Sequence, residues 1–174
     1  LLRRPAEKSA ARIGVLLVNP GGPGISAVDY LRNGAPRWAA ELRERFDLVA
    51  FDTRGTGASG GLDCRESLDA YLAQNPTPAS AAEWASAVAV SRALAAECTR
   101  NHEALLPRMG SAESARDMDR VRAALGVEQV SYLGFSYGTA LGASYARLFP
   151  ERVRAMVLDG AIDPGFDLLT FVAE

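Results

Sequence analysis

Histidine is nearly missing from this 174-residue chain, where His102 stands alone. Cysteine is almost as scarce: Cys64 and Cys98 lack CxxC spacing, and with one imidazole they form no convincing metal set, so neither a metal nor a cofactor is expected. No apolar run approaches the roughly 20 residues of a membrane-spanning helix. Residues 1–12, LLRRPAEKSAAR, do not have the form of a signal peptide. A formal net charge of −2 gives no electrostatic case for nucleic acid or an anionic membrane surface. Composition alone leaves the two cysteines open between unrelated core residues and a disulfide.

What the chain does have is apolar material in short, punctuated runs. Hydrophobic residues make up 48% of it, enough for a real core. RIGVLLVNP (12–20) is a continuous apolar run ending in Pro and Gly, as a strand buried on both faces would be. FDLVAFD (46–52), QVSYLGF (129–135) and RVRAMVLDG (152–160) repeat the pattern. Between them lie helical segments: 26–46, with its stripe through Trp38, Leu42 and Phe46; much of 62–107, interrupted by NPTPAS; 111–125; and 137–149. Strands alternating with helices predict a parallel sheet covered on both faces, with four core strands, no repeat and no internal boundary. Ligands in such sheets gather beyond the carboxyl ends of the strands.

Two of those strand ends carry chemistry. Gly134-Phe135-Ser136-Tyr137-Gly138 fits G-x-S-x-G between a strand and a helix, a turn that lifts the serine above the sheet and sets N–H groups at a helix N-terminus. Asn19-Pro20-Gly21-Gly22-Pro23-Gly24 follows the first strand, and glycines there let the backbone approach a developing oxyanion. Ser136 is the candidate nucleophile, and the N–H of Tyr137 with one from the Gly-rich loop are the candidate oxyanion donors. Either motif could be an ordinary Gly-rich turn, but the strand and helix around the first, and the pairing of the two, favour acyl transfer.

The stretches LLVNPGGPG, DLVAFDTRGTGASG, YLGFSYGTALGASYA and FPERVRAMVLDGAIDP resemble the α/β-hydrolase fold, and within it the secreted bacterial tripeptidyl aminopeptidases, relatives of the proline iminopeptidases. Pro20 stands where proline iminopeptidases have histidine, which favours the tripeptidyl branch. The resemblance implies that the strands at 12–20 and 129–135 lie side by side. It assigns Ser136 as nucleophile and the N–H groups of Gly22 and Tyr137 as the oxyanion hole. It implies a peptide substrate with a free N-terminus, a secreted or cell-envelope location and, with the absence of a metal pattern, a Cys64–Cys98 disulfide. Asp52 and Arg54 are expected to brace the floor of the site.

The remaining triad members are not evident. In this fold the order is Ser, then Asp or Glu, then His, and His102 precedes Ser136, so it reads as a surface or partly packed helix residue. Asp159 ends a strand and is expected to anchor a loop, and Asp163 has less claim to a chemical role. The expectation is therefore a partial catalytic domain over 1–174, inactive alone, with cap, acid and histidine beyond residue 174. The rival readings are an esterase or lipase of the same fold and a non-catalytic binding protein. Ser136 argues against the aspartate-nucleophile dehalogenases and epoxide hydrolases.

Overall fold

The computed structural model describes residues 1–34 and 38–163. Its elements in chain order are β1 (Leu2–Arg4), β2 (Gly14–Asn19), α1 (Ala27–Gly34), α2 (Ala40–Arg45), β3 (Phe46–Ala50), α3 (Arg65–Leu72), α4 (Ala81–His102), α5 (Ser111–Ala124), β4 (Val130–Phe135), α6 (Tyr137–Leu148) and β5 (Val153–Asp159). Among the described residues no helix is long and apolar enough to cross a membrane.

The strands form one sheet in the order β1-β3-β2-β4-β5. All neighbours are parallel except β1, which runs antiparallel to β3. The expected adjacency of the strands at 12–20 and 129–135 is present: β2 pairs with β4, Asn19 opposite Gly134. The sheet has a fifth strand that the sequence pattern did not count. Leu2–Arg4 is too short and too arginine-rich for periodicity to reveal. It is held by backbone pairing to β3 and by Arg3, which bonds the buried Asp47 at 2.7 Å.

Continuous apolarity in β2 and β3 follows from burial on both faces. Val15, Leu17 and Val49 point into a cluster with Ala115 and Met118 of α5 and Leu141 and Tyr145 of α6. Leu16, Val18, Leu48 and Ala50 point the other way, onto Ala27 and Leu31 of α1. A side chain such as Leu31, at 0% exposure, contributes about 1.5–3 kcal/mol by leaving water. The expected single helix over 26–46 is instead α1 and α2, with 35–37 outside the described residues. Phe46, placed by spacing on that helix, opens β3 and pairs with Gly14.

The chain divides into two compact units, a boundary the sequence pattern did not show: Leu1–Gly60 with the chain from Gly110 onward, and Gly61–Met109. The second unit is a helical hairpin of α3 and α4 closed by the Cys64–Cys98 disulfide, with Cα atoms 5.1 Å apart. Beside it the buried Glu97 accepts the N–H groups of Glu66 and Ser67, at 3.1 and 2.7 Å. A carboxylate from α4 thus satisfies the orphan first-turn donors of α3, where Cys64 supplies no side-chain cap. Hydrogen bonds from Ser67 are the main reason its carboxyl titrates below the ordinary range. His102, half-buried at the end of α4, accepts the Asp63 N–H through Nε2 at 2.7 Å. That is a partly packed helix residue, as read from the sequence.

Candidate active site

β2 and β4 lie side by side and end level, so the loops that leave them meet above the sheet. β4 ends at Phe135, and α6 begins at Tyr137. A single residue, Ser136, makes the turn. It has φ 51° and ψ −123°, and is the only non-glycine residue with positive φ among those described. Such a conformation costs on the order of 1–3 kcal/mol and persists only where its surroundings impose it. The serine is exposed.

The surroundings are visible. The Ser136 N–H donates to the Asp159 carbonyl at the end of β5, at 3.0 Å. The Ser136 carbonyl accepts the hydroxyl of buried Thr139 at 2.6 Å, and Thr139 Oγ1 accepts the Ile162 N–H at 2.9 Å. Asp159 therefore holds a loop through its main chain, the anchoring role expected of it. Tyr132, buried in β4, donates its hydroxyl to the Gly138 carbonyl at 2.7 Å, and burial pushes its phenol well above the ordinary range. The sequence pattern did not flag Thr139; its only signal is a threonine one residue past the G-x-S-x-G.

The Gly-rich loop is pressed against this turn. Gly21 is buried at φ +96°; a side chain there would collide with the Phe135 carbonyl and stand 3.0 Å from Ser136 Cβ and 3.1 Å from the Tyr137 nitrogen. Gly138 makes the reciprocal approach, since a Cβ on it would lie 2.7 Å from the Asn19 carbonyl oxygen. The donors of the loop can be assigned one by one. Pro20 and Pro23 have no N–H. Gly21 gives its N–H to Asn19 Oδ1 at 2.9 Å. That leaves the N–H groups of Gly22 and Gly24, both exposed glycines, with no acceptor among the described residues, and of the two Gly22 stands next to Gly21, which is packed against the turn. Tyr137 stands at the first position of α6, where a backbone N–H has no intrahelical acceptor. The phenol of Tyr137 bonds the Ser111 hydroxyl at 2.9 Å, fixing its side chain on α5.

Asp52, just past β3, ties the floor together. Its carboxylate accepts the Ser26 hydroxyl (2.9 Å) and the N–H groups of Val28 (3.1 Å) and Ala58 (3.0 Å). Burial raises its pKa, but the Val28, Ala58 and Ser26 bonds outweigh burial and hold it below the usual carboxylate range. Arg54 forks onto Asp117 of α5 at 2.8 and 2.7 Å. Both make the bracing contacts expected of them.

A strained, exposed serine beside a Gly-rich loop with an unoccupied N–H, at the carboxyl ends of parallel strands, brings together two of the groups that acyl transfer needs, a hydroxyl and a backbone donor, the third being a base. Within the sheet-bearing unit, no described side chain hydrogen-bonds the Ser136 hydroxyl. Residues 14–172 match the family model of the alpha/beta hydrolase fold, and the chain belongs to that family.

More narrowly, it is 38% identical to a tripeptidyl aminopeptidase of Streptomyces lividans over 168 residues, 94% of this chain and 31% of that protein. It is 48% identical to a carboxylesterase B of Mycobacterium tuberculosis over 169 residues, 94% of this chain and 32% of the relative. The chain thus spans about a third of the length of these relatives. The solved structure of a serine hydrolase, CCSP0084, from the polyaromatic-hydrocarbon-degrading Cycloclasticus zankles superimposes with a TM-score of 0.53 at 19% identity. That match covers 95% of this chain and 42% of that one, and is a likeness of fold.

Proposed function

We propose that this chain carries the nucleophile and oxyanion half of a serine hydrolase whose substrate is a peptide with a free N-terminus. Ser136 Oγ adds to the scissile carbonyl carbon, and a base takes its proton. The carbonyl oxygen becomes an oxyanion between the N–H groups of Gly22 and Tyr137. Collapse breaks the C–N bond, with the proton passing to the leaving amine. Water then releases the short N-terminal peptide from the acyl-enzyme. Acid, histidine and cap come, in this reading, from further parts of a longer protein, so residues 1–174 are one part of its catalytic domain. The disulfide suits an oxidising compartment, secreted or at the cell envelope.

The observation that carries the reading is Ser136 in its strained turn with Gly21 packed against it. The similarity to a tripeptidyl aminopeptidase supports the peptide preference. The higher identity to a carboxylesterase favours a second reading, ester hydrolysis by the same machinery.

The test uses the full-length protein. A serine-directed phosphonate should label Ser136, and Ser136→Ala should cost on the order of 10⁶ in turnover. Tripeptide amides with free and acetylated N-termini, set against an acyl ester, then separate the two readings. Turnover of the ester with none of the free-amine tripeptide amide, or indifference to acetylation, defeats the exopeptidase reading. An unlabelled Ser136 defeats both.

A further inference from the structure

We propose that Asn19 is a positioning residue that builds the oxyanion hole by taking one backbone donor of the loop out of play and fixing the other. The inference rests on the serine-hydrolase reading. Asn19 is the last residue of β2 and only 6% exposed, a costly place for a carboxamide unless its polar atoms are used. Its Oδ1 accepts the Gly21 N–H, two residues on, at 2.9 Å. This is an Asx-type link that bends the chain back at Pro20.

Without it, the loop would hold two adjacent glycine N–H groups, at φ +96° and +109°, with no side chain to restrict either. The link commits the first of these to Asn19 and leaves the Gly22 N–H, next along the loop, as the uncommitted donor of the pair. Asn19 also touches the second donor's element. A Cβ on Gly138 would stand 2.9 Å from Asn19 Oδ1 and 2.7 Å from its carbonyl oxygen. One side chain is therefore wedged between the loop bearing the Gly22 N–H and the first turn of α6 bearing the Tyr137 N–H. It sets their separation. The Asp52 carboxylate does not substitute for this link, because it is engaged by Ser26, Val28 and Ala58.

The experiment compares wild type, Asn19→Ala and Asn19→Ser in the full-length protein, with kcat expressed per serine titrated by a phosphonate. Asn19→Ala should lower kcat by about 30- to 100-fold with KM within about threefold, as expected for a displaced oxyanion donor. Affinity for a peptide boronate, which mimics the tetrahedral adduct, should fall in parallel. Asn19→Ser keeps an acceptor able to reach the N–H two residues on and should recover about tenfold of the loss. Should Asn19→Ala not fold, Asn19→Asp replaces it. Its carboxylate keeps the acceptor but sets a negative charge beside the oxyanion, so its deficit relative to wild type should shrink as pH falls through the carboxylate range.

Asn19 is not a positioning residue if kcat per titrated serine stays within about threefold in Asn19→Ala, if the loss lies only in KM or in the number of titratable sites, or if Asn19→Ser is as poor as Asn19→Ala. A pH-independent Asn19→Asp deficit overturns it equally. A wild type whose Ser136 the phosphonate leaves untouched sinks the hydrolase reading itself, and this inference with it.

Discussion

The Ser136 N–H donates to the Asp159 carbonyl at 3.0 Å, so the turn after β4 is fastened to the end of the neighbouring strand β5. Thr139 fastens its other side, bonding the Ser136 carbonyl and the Ile162 N–H with one hydroxyl. A residue at φ 51° and ψ −123° would relax if released, and these bonds are what prevent it. Isosteric Thr139→Val in the full-length protein removes both side-chain bonds and leaves the half-buried Ile162 N–H without this partner. It should cost about 1–3 kcal/mol of stability in denaturant unfolding and slow phosphonate labelling of Ser136. Unchanged stability and labelling would mean that the backbone bonds, Ser136 N–H to the Asp159 carbonyl and Thr139 N–H to the Ser136 carbonyl, hold the turn without the hydroxyl.

Strain also gives the serine a measurable signature apart from its chemistry. Ser136→Gly should raise stability by roughly 1 kcal/mol while abolishing turnover, because glycine adopts positive φ without the Cβ clash. Ser136→Ala should not show that gain. Equal unfolding midpoints for the glycine and alanine variants would remove strain from the account.

Gly21→Ala tests the opposite face of the same contact. A Cβ there meets the Phe135 carbonyl and the Tyr137 nitrogen, both backbone, so neither can swing away. The φ of +96° is itself forbidding to alanine. The substitution should destabilise the fold by several kcal/mol, roughly 3 or more, or push the loop off the turn and abolish labelling of Ser136. A fully labelled, fully stable Gly21→Ala protein would show that the loop and the turn do not touch.

Much of this site was legible in the sequence because close approach demands glycine and burial demands unbroken apolarity. Gly134-Phe135-Ser136-Tyr137-Gly138 announces a tight turn, and VLLV before Asn19 announces a strand covered on both faces. The parts that stayed hidden are held by groups with no local pattern. β1 is three residues fastened through Arg3 to Asp47, more than 40 positions away. Glu97 caps α3 from a different helix, and nothing in the alanine-rich stretch around it distinguishes that carboxylate from its exposed neighbours. The break between α1 and α2 and the partition at Gly61 and Met109 depend on which contacts close in space, which periodicity does not encode.

The helical unit gives a redox test. Cys64 and Cys98 are bonded and should appear as one internal link by non-reducing mass spectrometry. Replacing both with serine should cost about 2–4 kcal/mol of stability on the loop-entropy model, felt first as exposure of α3 and α4 to proteolysis. Two free thiols in the folded protein would overturn the link and weaken the extracellular assignment.

The last prediction concerns pH and the floor of the site. Asp52 is buried, and its folded pKa lies below the ordinary value. Burial pushes it up, but the N–H groups of Val28 and Ala58 and the Ser26 hydroxyl more than offset this. A carboxylate with a depressed folded pKa contributes stability that is fully present above the unfolded pKa, about 3.9, and is lost as pH falls through the folded value. Asp47 carries the same sign. Burial raises it, while bonds from Arg12, the Ala6 N–H and Arg3 bring it below the usual range. Asp52→Asn should therefore be less stable than wild type by roughly 1–3 kcal/mol at pH 7, because an amide cannot accept from all three donors. The gap should hold down to about pH 4 and narrow below it, as the wild-type carboxyl takes up its proton. Urea unfolding of both proteins across pH 7 to 3 measures it. A gap that is constant over that range would assign the loss to shape, and deny the ionised carboxylate its part in holding β3 to α1.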